Sequence, residues 1–474
     1  MGLTRRRLLK LSGFTILGLA GLGVLTYKEW LPLFSPVTRL AISKKKSMVD
    51  RSKIQSAQTI QWQGQMMPVA LLNAISMNPD RSIREKVWRM AAQRTLADRQ
   101  KLNEHWKKQI DINLQFVKTE GYWEYLLDQQ ISSAEVHEFV ATSRKAIVPT
   151  VRRIYQRWQH QMEIERLRPW DISASPIYLP FTSISPAARL LSPPFTTSSE
   201  LVDSTIEVLS KVDLEFGQYL ERMRRERLLD LESKKGKEVL ASYSPSSRKI
   251  SMSFVGSHSE FSTLVHEFAH AMHDFLEGRS PAAFKESLAF AMQMLADLHL
   301  DTFYLHESEV KQASIQQLEW LLELWGWAVL ASEFSNWAYD NSTAARDPKN
   351  CDRKWSELYQ ELFPTVDWSG LEDVLATGWQ RLYFVVHEFP FMETMYAIAL
   401  LGAIQIWQNS LADYNRTVAQ LKQAMSLSST QSLSRLFAAA GVDFRLDGEV
   451  VRGAIAAAEA RIDELQTEQA MLEL

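Results

Sequence analysis

Cysteine is almost missing: Cys351 is the only one in 474 residues. No disulfide can form within the chain and no cysteine-rich metal cluster is possible, so any metal ion must be held by histidine and carboxylates. A dominant charge is missing too, with 53 Lys and Arg against 56 Asp and Glu, and the basic body that binds nucleic acid is absent. Glycine (18) and proline (16) are sparse, which excludes collagen-like and low-complexity chains. No repeat at solenoid spacing is present. What remains is 46% hydrophobic and 23% charged, the composition of an ordinary folded protein long enough to bury a sizeable core.

The amino terminus reads as an address. Thr4, Arg5, Arg6, Arg7, Leu8, Leu9 and Lys10 precede an apolar stretch from Leu11 to about Leu25. A hydroxyl residue, two arginines, any residue, an apolar pair and lysine form the twin-arginine export pattern. The same residues support a membrane anchor through residues 8–26 with its cationic side in the cytoplasm. Both readings assign 1–30 to targeting and put the remainder outside the cytoplasm, in a periplasm or equivalent lumen. Lys28 and Glu29 close the run near the lower limit for a spanning helix, and no A-x-A site follows. Cleaved signal and retained anchor therefore both stand.

From Ser82 to Leu167, apolar residues at three-and-four spacing, as in Ile83, Val87, Met90 and Ala91, predict helices. Ile110, Ile112, Leu114 and Phe116 alternate with polar residues and predict a short extended piece, and Pro149 predicts a break. Six of the 16 prolines fall between Leu167 and Ser199, which predicts a connection between an amino-terminal helical lobe (31–166) and a catalytic region (167–474). Helical patterning resumes from Glu200 to about Ser233, and Ser242–Lys249 reads as a loop. Ile250, Met252 and Phe254 alternate with serines and predict a strand ending near Gly256. Helical periods dominate from Glu260 to the end.

Residues 266–270 read HEFAH inside the apolar-periodic run Phe261–Leu276. Residues four apart share a helix face, so His266 and His270 can point at one zinc ion while Glu267 reaches a water as general base. A metzincin needs glycine three residues after His270 and histidine three further on. Those positions are His273 and Leu276, which excludes that class. For the third ligand Glu286 is favoured, because it opens a new helical run after Gly278, Arg279, Ser280 and Pro281 and can return from a second helix. Asp274 and Glu277 are rivals by proximity, although they share the rod that carries the histidines. His273 reads as a packing or supporting histidine rather than a ligand.

Across 150–470 the chain resembles the thimet oligopeptidase and oligoendopeptidase F family of zinc metallopeptidases, on the bacterial oligoendopeptidase F side. ISMSFVGSHSEFSTLVHEFAHAMH resembles the family's strand, turn and HExxHxxH helix; RPWDIS at 168–173 and KKGKEVLASYS at 234–244 resemble the segments before it. The stretch from Tyr396 through AIALLGAIQIW, then LFAAAGVDF and the last helix, resembles its carboxy-terminal helices. The resemblance implies a mainly α, two-lobed zincin metallopeptidase with a small β-sheet beside the active-site helix and a deep central channel. It implies one Zn2+ on His266, His270 and Glu286, Glu267 as base, and short peptides as substrates. Tyr396 and His387 are carried over as oxyanion residues, with Tyr383 in reserve. Met252, Phe254 and Gly256 are the expected peptide-binding strand, pairing through its edge. The chain departs from the family at Ala269 (usually glycine), at the short span from His273 to Glu286, at Gln293 (often glutamate), and at Met392 and Thr394 (often tyrosines). Those departures also allow a peptide-binding scaffold without turnover; a carboxypeptidase of the same gluzincin class is the other alternative.

Overall fold

The computed structural model describes residues 59–472, other than 63, 69–77, 118–130, 173–190, 192–193, 233–240, 255, 257, 277, 279, 381–390 and 428–430. Residues 1–30, expected to serve targeting, and Tyr383 and His387 lie outside the described residues. The chain opens with an antiparallel hairpin that the sequence reading did not anticipate, Thr59–Trp62 (β1) and Gln65–Pro68 (β2). Helices Arg81–Ala97 (α1), Arg99–Val117 (α2) and Ser133–Gln161 (α3) follow.

Two local expectations fail here. The alternating residues from Ile110 lie within α2, not in an extended piece. Leu102, Trp106, Ile110 and Asn113 are all buried, so a three-and-four pattern runs through the same residues and decides the outcome. Pro149 does not break α3. Its ring and Lys145, whose carbonyl loses its helical partner, are both on the exposed side, where water can donate to the orphaned oxygen. Opposite them, Ile147, Val151, Ile154, Tyr155 and Trp158 are buried, each worth about 1.5–3 kcal/mol, which outweighs the proline. A capping box between Ser132 and Glu135 fixes where α3 begins.

The helix expected over 200–233 is two helices, Ser198–Val212 (α4) and Leu214–Arg225 (α5). Asp213 between them is extended and caps the second with its side chain. Next comes a three-stranded sheet of Leu229–Asp230 (β3), Ser242–Ser244 (β4) and Lys249–Ser251 (β5) in the order β3-β5-β4. The expected loop 242–249 is therefore mostly a hairpin, closed by Arg248 at φ 56.

The helices that build the site come after it: His258–Phe275 (α6) and Ala282–Ala296 (α7), then Glu307–Asp340 (α8), Pro348–Leu362 (α9), Met392–Ala412 (α10), Tyr414–Met425 (α11), Leu433–Ala439 (α12) and Gly448–Leu472 (α13). One apolar cluster runs from Trp88 to Leu465. α7 lies along α10, where Ser287 Oγ donates to the Ala399 carbonyl at 2.9 Å. α3 packs on α8 and α13 and brings partners to two buried acids of α8. Arg157 and Trp158 Nε1 donate to Glu319 at 2.9 and 2.7 Å, and the Tyr155 hydroxyl donates to Glu323. Paired in this way, buried carboxylates fix the register of the two helices instead of disrupting the core. Among the described residues no helix is long and apolar enough to cross a membrane.

Glu393 on α10 is buried without a cation beside it among the described residues, and the Ser335 hydroxyl is the one side chain that lowers its carboxyl. Burial pushes this carboxyl up to about 8 from an ordinary 4.5. Because the folded value lies above the unfolded one, the unfolded chain ionises first as pH rises; the stability is present below about 4.5 and lost up to about 8. Glu393→Gln is expected to stabilise the fold by about 3–4 kcal/mol more at pH 8 than at pH 5. Urea unfolding of both proteins at the two pH values checks it; equal differences at both would show that Glu393 does not carry this penalty.

Candidate metal centre

α6 forms because Phe261, Leu264, Val265, Phe268, Ala269 and Met272 recur at three-and-four spacing, and all are buried. That face anchors the rod, and the opposite side presents His266 and His270 one turn apart. Their rings stand nearly perpendicular, centroids 4.9 Å apart. α7 returns antiparallel, since Glu286 near its start meets His270 while Gln293 further on meets Ser262. Glu286 closes the triad: the two Nε2 atoms are 3.2 Å apart, His266 Nε2 is 3.2 Å from Glu286 Oε2, and His270 Nε2 is 3.6 Å from Glu286 Oε1. A zinc tetrahedron with bonds of 2.0–2.1 Å has an edge of about 3.3 Å. Two imidazoles and a carboxylate at these separations fit zinc and leave a fourth position open. Among the described residues this is the one group of three side chains so arranged.

The electrostatics follow from burial. Desolvation pushes the His270 imidazole down to about 4, against the opposing charge of Glu286, so it is a neutral ring with a free lone pair. At His266 burial also disfavours the charged form, but the hydrogen bond and charge of Glu286 outweigh it and raise the value. Glu286 is itself held down by the two rings despite its burial. Asp274, one of the rival ligands, is engaged elsewhere, accepting from the Tyr243 hydroxyl at 2.8 Å. Glu277 is outside the described residues.

Gln293 fixes the orientation of His266. Its Nε2 donates to the Ser262 carbonyl at 2.9 Å, which leaves Oε1 to face His266 Nδ1 at 3.2 Å. An amide oxygen only accepts, so Nδ1 carries the proton and Nε2 is free for a metal. Gln293, where relatives often carry glutamate, therefore still supplies the orientation, without a carboxylate's charge.

Glu267 sits between the helix and the sheet, 8% exposed. Burial raises its carboxyl; the His266 charge counteracts this, Glu286 adds to it, and the Tyr243 backbone N–H lowers it. The sheet shows why that amide is available. Ile250 gives its N–H to the Leu228 carbonyl on the β3 side, and Tyr243 lies directly opposite Ile250 on β4. The pair is thus of the non-hydrogen-bonded kind, and the Tyr243 amide turns outward to the outer side of β4.

The strand expected to pair with a peptide is not an outer strand of this sheet. β5 is the middle strand, with β3 on one side and β4 on the other. Met252 and Phe254 continue its pairing by donating to the Asp230 and Leu231 carbonyls at 3.1 and 2.9 Å, and Met252 is buried. Gly256 serves the turn into α6: its φ of +89 suits glycine, and its N–H donates to Glu260 Oε2 at 2.7 Å. Among the described residues the outer edge of the sheet beside Glu267 belongs to β4. The sequence signal for it, Tyr243 between two serines ahead of a Pro-Ser-Ser turn, was read as loop.

Tyr396 reaches the centre from α10. It packs edge-on against Phe290, centroids 6.3 Å apart, and Phe290 packs against His266 at 5.0 Å. Burial, with the charges of Glu286 and Glu267, holds its phenol protonated far above the ordinary range, so it is a hydrogen-bond donor. Thr394, where relatives often carry tyrosine, is turned inward and hydrogen-bonds Ser332 at 2.9 Å.

Comparison with known proteins agrees with this geometry. Residues 74–453, well over half of the chain, match the model of Peptidase family M3. The fold is shared with the structure of PZ peptidase A with an inhibitor (TM-score 0.79, 18% identity, 91% of this chain and 78% of that one). It is also shared with a structure reported as oligoendopeptidase F (0.79, 17%, 91% and 77%) and with one so reported from Bacillus anthracis (0.74, 16%, 91% and 76%). No curated protein matches at the sequence level. The resemblance carried by the HEFAH helix and its flanks thus holds across most of the chain, which belongs to Peptidase family M3 and is a metallopeptidase.

Proposed function

We propose that the chain is a zinc-dependent endopeptidase that hydrolyses internal bonds of short oligopeptides outside the cytoplasm. The observation that carries this reading is the spacing of His266, His270 and Glu286 at the edge length of a zinc tetrahedron, with Glu267 beside them. Zinc bound there supplies a Lewis acid that polarises the scissile carbonyl and lowers the pKa of water. An extended peptide lies along the outer edge of β4 and pairs with main-chain groups other than the Tyr243 amide, which Glu267 already holds, giving affinity with loose side-chain preference. Glu267 takes the proton of the attacking water and passes it to the leaving amine. Its tie to the Tyr243 amide holds the carboxylate at the edge where the peptide lies. As charge grows on the carbonyl oxygen, the Tyr396 phenol donates to it, an interaction typically worth a few kcal/mol. His387, carried over from the family resemblance, is the second donor in this scheme. The order Thr4, Arg5, Arg6 and Lys10 before an apolar run supports export of the folded protein.

The full-length chain is expected to bind one zinc and to cut a quenched-fluorescent peptide blocked at both ends, with chelator abolishing turnover. A carboxypeptidase would leave the blocked peptide intact and trim a free one, and metal binding without cleavage of a varied peptide set would identify a scaffold. Glu267→Gln is expected to keep zinc and melting temperature while losing at least 100-fold in kcat/KM; undiminished turnover would remove Glu267 as the base. Gln293→Glu is expected to tighten zinc binding about tenfold, since a carboxylate makes His266 a better donor. Competition with a chromophoric chelator measures it, and weaker binding would contradict the orientation described for His266. Replacing Arg5 and Arg6 by lysine is expected to retain the protein in the cytoplasm on cell fractionation; unaltered export would reject the twin-arginine route.

A further inference from the structure

Three histidines lie along one stripe of α6, yet only two of them face Glu286. The third, His273, has its Nε2 2.7 Å from Ser280 Oγ, and both residues are nearly fully buried, 4% and 7% exposed. Ser280 immediately precedes Pro281, the residue at which α7 begins, and that end of α7 has no side-chain cap. Glu286 follows on the second turn of the helix, so whatever fixes Ser280 fixes the register in which Glu286 arrives. Gly278 tightens the same connection. Its N–H donates to the His273 carbonyl at 2.9 Å, and a Cβ there would stand 2.0 Å from the Met425 carbonyl and 2.8 Å from His273 Nε2. The chain between α6 and α7 is thus threaded between the His273 ring and the end of α11, at a point only glycine can pass.

We propose that His273 and Ser280 are positioning residues: a hydrogen-bonded clamp that sets the start of α7 so that Glu286 completes the metal triad. The proposal rests on the metal reading above. A slip of one residue in α7 moves Glu286 by about 1.5 Å along the axis and about 100° around it, too far for separations of 3.2–3.6 Å to survive. The competing cause is the packing of α7 along α10, which by itself would hold Glu286 whatever happens at Ser280.

The test uses full-length protein and three variants, Ser280→Ala, His273→Phe and His273→Gln. Zinc affinity is read by chelator competition, and the geometry by the visible absorption of the cobalt-substituted protein. Ser280→Ala and His273→Phe are expected to weaken zinc 10- to 100-fold, the usual cost of losing outer support, and to alter the cobalt bands. His273→Gln, whose amide nitrogen can stand near the ring Nε2, is expected to recover most of the affinity, which a merely space-filling role would not produce. Wild-type affinity and cobalt spectrum in Ser280→Ala would overturn the clamp, whether or not His273→Phe folds. A parent chain that binds no zinc would instead overturn the proposed function and the clamp with it.

Discussion

The structure turns on a single meeting: the Glu286 carboxylate of α7 against two imidazoles of α6. Charge brought this far out of water is costly unless it is paired, and the surroundings read as the means of pairing it. Gln293 orients one ring, Phe290 packs against it, and α10 backs α7 along its length. Each helix contributes a rigid face, so the three ligand atoms reach one another by helix register rather than by loop adaptation. That suits a site where angles of tens of degrees and shifts of an ångström decide whether a metal is held.

The sheet is small, and its work is positional. Three short strands give α6 a floor, and the edge strand reaches the helix twice through Tyr243, by its amide to Glu267 and by its hydroxyl to Asp274. The Glu267 carboxylate is thereby held at the outer edge of the sheet. Tyr396 approaches from α10 on the side of Phe290, and the two acidic neighbours that burden its ionisation keep it a donor. Opposing donors and acceptors thus converge where partial burial weakens screening by water.

Some of this was legible in the sequence and some was not. HEFAH was legible because two residues four apart on a helix are neighbours whatever the rest of the chain does. Glu286 was legible in part: a second helix after a Gly-Pro turn can return, but Asp274 and Glu277 were as near in sequence until the Tyr243 hydroxyl was seen to hold Asp274. The central position of β5 was not legible, because alternation identifies a strand without saying which neighbours it has. Pro149 and the alternating residues of α2 misled for a related reason, since a local rule was applied where the buried face on the other side of the helix decided the outcome.

By itself the sequence determined the helical class, the pair of histidines with their glutamate, and the exclusion of a cysteine-rich metal site, because helix periodicity and residue chemistry are local properties. Only the tertiary structure decided that Glu286 rather than Asp274 faces the histidines, that β4 rather than β5 carries the outer edge, and that His273 turns away to Ser280. These depend on pairings between residues that meet only through packing, and no spacing along the chain contains them.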